Sequence, residues 1–249
     1  MDNSKIDIVD KDKLDEARLG FQTALKELSS ADYDQRDVDS FMNDDMFTSY
    51  YCLWAKTIPA EAVKLAVKSF KLRKVNGIHD LTPESVGMDT MKKGYVFLLG
   101  RDLNGSRVLH MRTGSMQKKD KEVNQKLLLY WLARIHKAEP GKRITFIMDT
   151  TGTGLMNSDM SFVTFIIDCF ATYFPGLLAR NIVYNLPGVL NAMWKLVSKM
   201  LSPEQREVTI LCGKSEITKY IDLDNLPEEM GGKKTFQYSY PPFPDDIAS

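Results

Sequence analysis

A run of strand, helix, strand and helix over residues 143–201 constrains this chain more than any other feature. RITFIMDTTGTGLMNSDMSFVTFIIDCFATYFPGLLARNIVYNLPGVLNAMWKLVSKML carries two helical segments too apolar for ordinary one-sided packing. In the second of them Asn191, Lys195, Ser198, Lys199 and Ser202 recur at helical spacing and form one narrow polar stripe. The remaining circumference, from Val189 to Leu201, is hydrophobic. Such a helix needs two apolar neighbours, and a sheet with an oily cavity beside it supplies them.

The earlier apolar helix, roughly 159 to 174, ends at Pro175 and Gly176. Its sixteen or so positions reach about 24 Å, short of the roughly 30 Å hydrocarbon core of a bilayer. Asp168 sits inside it. The segment therefore reads as the interior of a globular protein, not as a membrane span.

The 249 residues can bury a sizeable core, and 33 basic side chains balance 33 acidic ones. That balance argues against a nucleic-acid partner held by bulk electrostatics. Cys52, Cys169 and Cys212 lie far apart with no CxxC spacing, which predicts reduced, structural thiols. The polar, acidic start MDNSKIDIVDKDK lacks the apolar run of a secretory signal and predicts a cytoplasmic location.

Upstream, Leu14, Ala17, Phe21, Leu25 and Leu28 predict a helix, and Val38, Phe41 and Met42 a second. Asp44 or Asp45 can cap a third, with Phe47, Tyr50, Tyr51 and Trp54 on one face; Pro59 opens a fourth. YVFLLG and SRVLHMRT flank an Asn-Gly turn and predict a hairpin, after a domain junction near residues 76–94. A helix from about Lys121 to Lys137 follows, and then ITFIMD, NIVYN and VTILC alternate with helices. Units of this length pair in parallel with right-handed crossovers, so the expected fold is α/β with a mixed, mainly parallel sheet flanked by helices.

No residue pattern specifies catalysis. Gly152 and Gly154 give GxG after a strand, without the remaining glycine of a dinucleotide loop or the GKS/GKT of a P-loop. His79, His110 and His136 are scattered, with no partner at metal-ligand spacing, and neither GxSxG nor HExxH occurs. Neither an enzyme nor a bound metal or cofactor is expected.

In order along the chain, QRDVDSFMNDDMFTSYYCLWAK, GRDLNGSRVLHM, ITFIMDTTG, the FPG break, IVYNLPGVLNAMWKLVSKML and LPEEMGG resemble the CRAL-TRIO lipid-binding and lipid-transfer domains over nearly the whole chain. The resemblance implies a helical amino-terminal subdomain (1–80), a lipid-binding domain (81–240) and a tail (241–249). It further implies a sheet floor and a mobile gate helix, here about residues 188–201, over a hydrophobic pocket. Carried over by motif, Ile144, Phe146, Met148 and Val183 would face the pocket from the sheet. Phe162, Ile166, Cys169, Phe170 and Phe174 would line the helical wall, and Leu190, Met193, Trp194 and Val197 the inner gate. Lys195, Lys199, Met200 and Leu201 would meet a membrane surface. The implied partners are a hydrophobic lipid and a membrane bound peripherally, with a protein-interaction module built around a vestigial pocket as the alternative. Two departures stand out. SKML replaces the Lys-Pro pair many relatives carry at the gate, and Leu177 and Ala179 stand where phosphoinositide-gripping relatives have basic residues, leaving Arg180 alone.

Overall fold

Aspartates begin two helices of the first layer. Asp34 caps Arg36 N, and Asp44 caps Met46 N and Phe47 N, satisfying backbone donors that a helix start leaves open. The computed structural model describes residues 4–156 and 158–241; from residue 242 onward the expected tail lies outside them. Helices α1 (Lys11–Leu25), α2 (Gln35–Asn43), α3 (Asp45–Trp54) and α4 (Pro59–Val75) share one aromatic core. Phe21, Phe41 and Phe70 meet there with ring centroids 4.8–6.0 Å apart, and Tyr51 stands edge-on to Phe70.

Two short helices, α5 (Pro83–Val86) and α6 (Met88–Lys92), lead to a five-stranded sheet. Its strands are β1 (Val96–Arg101), β2 (Arg107–Arg112), β3 (Ile144–Asp149), β4 (Leu178–Tyr184) and β5 (Thr209–Cys212), and they lie side by side in chain order. β1 and β2 form the antiparallel hairpin, and all later neighbours pair in parallel. The crossovers are α7 (Lys121–Ala138), α8 (Met160–Asp168) and α9 (Asn191–Met200) with the short α10 (Pro203–Glu207). α7 is buried around most of its girth, with Trp131 fully enclosed.

Side-chain alternation splits the sheet into two faces. Ile144, Phe146 and Met148 join the core beneath α7 and α8. Val108, Ile147 and Ile182 join a second core on the opposite face. Ile217, Ile221, Leu226 and Met230, from a stretch of short 3-10 turns, cover that second face. One difference lies in the apolar helix: its last turn, Cys169–Tyr173, is π-helical. All three cysteines are free and buried.

A buried ion pair ties the helical layer to that π turn. Arg73 Nε and Nη2 donate to Asp37 Oδ1 at 2.9 and 2.8 Å, and Arg73 Nη1 donates to Tyr173 O at 3.1 Å. Asp37 and Arg73 are 0% and 4% exposed. His79 Nε2 lies 2.8 Å from the same carboxylate oxygen. Replacing Arg73 with Met strands Asp37 in a dry interior, and should cost about 3–5 kcal/mol in urea-unfolding measurements. The double change Asp37→Leu with Arg73→Met should recover part of that loss.

His110, a buried strand residue, is stacked on Phe97 at 5.1 Å with its Nε2 3.3 Å from Leu99 O. Burial pushes its pKa down to about 3, and that of His136 likewise. Because the folded values lie below the ordinary value near 6.5, stability is full above pH ~6.5 and falls as pH drops toward 3. His110→Gln should flatten the upper part of this acid limb in thermal unfolding scans taken from neutral to mildly acidic pH.

Candidate functional site

The cavity is built where the carboxyl ends of β3 and β4 meet the start of α7, the start of α8 and the helix α9. Met148 and Val183 rise from adjacent, paired strand positions to form its floor. Phe162, Val163 and Ile166, on one face of α8, form a wall. Leu190, Met193, Trp194 and Val197 close it from the gate at helical spacing. The cavity volume is about 70 Å³. Sites that enclose a drug-sized ligand run to roughly 300–1,000 Å³, so the cavity is smaller than such a ligand needs.

Polar residues stand among the lining as well, although the cavity surface itself is mainly apolar. Thr113, Gln117, Lys118, Lys121 and Asn124 line it from one side, and Thr150, Thr153 and Ser158 from the loop after β3. That loop is pinned tightly. Thr113 Oγ1 donates to Asp149 O at 2.9 Å and lies 2.8 Å from Thr153 Oγ1. Gly114 lets the two loops touch, since a Cβ there would stand 2.2 Å from Thr151 O. Asn185, held at φ +52° where the chain turns toward the gate, donates from Nδ2 to Thr151 Oγ1 at 3.0 Å.

α9 is held differently from its surroundings. Ser198 Oγ donates to Lys195 O within the helix, and among the described residues no α9 side chain hydrogen-bonds to another element. Just beyond it, Ser202 and Gln205 form a capping box, and Gln205 Nε2 reaches Ile167 O on α8 at 3.1 Å. Lys56 pairs with Glu204 at 2.8 Å. α9 thus packs by apolar side chains, next to a turn that is firmly bonded. Gln205→Leu should lower stability by about 1–3 kcal/mol by leaving buried polar groups unpaired. It should also speed amide hydrogen exchange selectively over residues 191–201.

Eight of the residues assigned by motif to the pocket surround this cavity: Met148, Phe162, Ile166 and Val183, with Leu190, Met193, Trp194 and Val197. The other five, Ile144, Phe146, Cys169, Phe170 and Phe174, lie in the closed core below, where Phe146 meets Phe170 at 5.4 Å. Burial pushes the Cys169 thiol well above its ordinary pKa, leaving it a small apolar filler. Of the residues assigned to the outer gate, Lys195, Lys199 and Met200 are exposed, together with Leu196. Leu201 is buried, and Arg206 Nη2 donates to its carbonyl. Arg180 is committed elsewhere: it pairs at 3.0 Å with Asp102, a buried carboxylate that also shapes the hairpin turn.

The polar part of the lining was not anticipated, because its members come from four separate elements. One signal was readable: Asn124 shares a helical face with Leu127 and Trp131 and interrupts an otherwise apolar stripe. Among the described residues no cluster of metal-ligating side chains occurs, and no helix is long and apolar enough to cross a membrane.

The CRAL/TRIO domain family model matches residues 91–232, and the chain belongs to that family. It is 23% identical over 163 residues to the phosphatidylinositol transfer protein CSR1 of Eremothecium gossypii, covering 64% of this chain and 37% of that one. It is 26% identical over 156 residues to the CRAL-TRIO domain-containing protein C3H8.02 of Schizosaccharomyces pombe, covering 61% and 35%. The chain therefore spans little more than a third of the length of these relatives. The crystal structure of Sfh5 shares the fold, with a TM-score of 0.65 at 16% identity over 96% of this chain and 94% of that one.

Proposed function

We propose that this chain is a non-catalytic lipid carrier that takes a hydrophobic lipid into the cavity and moves or presents it between membranes, with α9 as the gate. The observation that carries this reading is the cavity itself: one whole wall is a helix joined to the rest by apolar contacts alone. Lifting a sixteen-carbon acyl chain out of a bilayer forfeits about 12 kcal/mol at roughly 0.8 kcal/mol per methylene, so the pocket must shield the chain almost completely. A pocket that opens only against a membrane lets the lipid pass from one apolar phase to another.

On this reading Lys195 and Lys199 face anionic headgroups, at about 1 kcal/mol each, while Leu196 and Met200 touch the surface. The membrane association is peripheral and cytoplasmic. The division into a helical subdomain (1–80) and a lipid-binding domain (81–240) belongs to the same proposal, and is supported by the separate aromatic core of α1–α4. The wording of the chain also resembles the amino-terminal domain of motile sperm domain-containing protein 2. A longer, anchored form of that kind would act at a membrane contact site of the endoplasmic reticulum.

Val197 is buried on the inner face of the gate. Val197→Asp places a charge in the apolar lining and should abolish lipid loading while leaving the circular dichroism spectrum unchanged. Mass spectrometry of a solvent extract should then find a stoichiometric lipid in the wild type and none in the variant. Equal loading and equal transfer of fluorescent lipid by the two would refute the gate assignment. A wild type that neither carries lipid nor loads from liposomes would favour the interaction-module reading.

A further inference from the structure

Beyond the 3-10 turns the chain runs off the sheet in a definite direction. From Gly232 to Tyr240 even-numbered residues are half-buried and odd-numbered ones exposed, the alternation of an extended strand. The Phe236 ring stacks on Phe97 of β1 at 4.8 Å. Two residues on, Tyr238 Oη donates to Met91 O on α6, and its ring lies so close over Gly94 that a Cβ there would stand 2.6 Å from it. Tyr240 Oη then lies 3.8 Å from Met88 Sδ. Burial raises the pKa of that hydroxyl, Tyr130 and Glu84 raise it further, and Arg134 opposes them. The described chain thus arrives, at Pro241, beside Tyr130 and Arg134 of α7.

Tyr130 and Arg134 also line a cleft of about 890 Å³ between the carboxyl-terminal half of α7 and the helical first layer. It shares no lining residue with the cavity at the other end of α7. Four of its rings cluster: His136 lies 4.9–5.8 Å from Tyr50, Phe47 and Phe174. Burial holds His136 neutral, and neither ring nitrogen hydrogen-bonds to protein among the described residues, so the ring offers one donor and one acceptor. Lys137, three residues beyond Arg134, is exposed and forms no ion pair among the described residues. The Asp44 carboxylate on the far wall is engaged by Met46 N and Phe47 N.

Proline-rich segments dock in aromatic-lined grooves because their extended form is set before binding. The eight residues that follow Pro241 read PFPDDIAS, a phenylalanine between prolines and then two acids. From Tyr130 to Lys137 α7 rises about 10 Å, and four extended residues span about 13 Å, enough to bring Asp245 to Lys137. We propose that the cleft is a peptide site and that residues 242–249 of this chain are its occupant, with Phe243 against the aromatic rings and Asp245 beside Lys137. Filled in this way, the cleft joins α7 to the helical layer independently of any lipid.

The test follows amide hydrogen exchange in the whole chain by NMR. The Phe243 and Asp245 amides should exchange at least tenfold more slowly than their intrinsic rates. Phe243→Ser should remove that protection at Asp245 with the circular dichroism spectrum unchanged, and Lys137→Glu should reduce it severalfold. A fluorescein-labelled PPFPDDIAS peptide should bind the Phe243→Ser chain about tenfold more tightly than the wild type, whose own segment competes at millimolar effective concentration. Adding Lys137→Glu to Phe243→Ser should weaken that binding. Intrinsic exchange rates in the wild type, or protection that survives Phe243→Ser, overturn the proposal. Equal peptide binding by wild type and Phe243→Ser overturns the occupant and points to a partner's segment, and peptide binding indifferent to Lys137→Glu overturns the cleft as the site.

Discussion

Arg73 is the side chain on which the arrangement of layers turns. It leaves α4, neutralises the wholly buried Asp37 of α2, and spends another donor on Tyr173 O in the π turn that follows α8. Its guanidinium also lies 5.1 Å from the centre of the Phe174 ring. A charge in such a dry place is tolerated only when its partners are fixed in advance, so the pair is as much a positioning device as a source of stability. Through it the helical first layer holds the base of the wall whose upper turns, at Phe162 and Ile166, face the cavity.

The cavity divides the same elements into parts that are bonded and a part that is not. The loop after β3, the turn leading to the gate and the turn following it are each tied by side-chain hydrogen bonds to a neighbouring segment. α9 between them relies on apolar packing, with no side-chain hydrogen bond to another element among the described residues. Hydrogen bonds to a neighbouring element would have to be broken on opening; hydrophobic contacts need only be exchanged. α9 thus has apolar residues on both its inner side, at Val197, and its outer side, at Leu196 and Met200.

Much of this was legible in the chain. The period-two pattern of ITFIMD assigned Ile144, Phe146 and Met148 to one face, and the sheet does place them in one core, opposite Ile147. Which of the three reaches the cavity was not legible. Phe146 is covered by Phe170 from a crossover helix, and strand periodicity carries no information on how far along a strand its neighbours extend. Leu201 shows the same limit at the end of the gate, where the helix stops and the chain turns the side chain inward. The 3-10 turns that cover the second face leave no trace in the pattern, because short turns built around single apolar residues have no periodicity to read.

By itself the sequence determined the order of elements, the parallel crossovers and the presence of one helix too apolar for a single neighbour. Each of these follows from local patterning within about twenty residues. Only the tertiary structure decided that Arg180 belongs to Asp102 and that Gln205 braces α8 next to α9. Those relations join residues from tens of positions apart, and they exist only because packing brings their backbones together and removes the water that would otherwise have satisfied them.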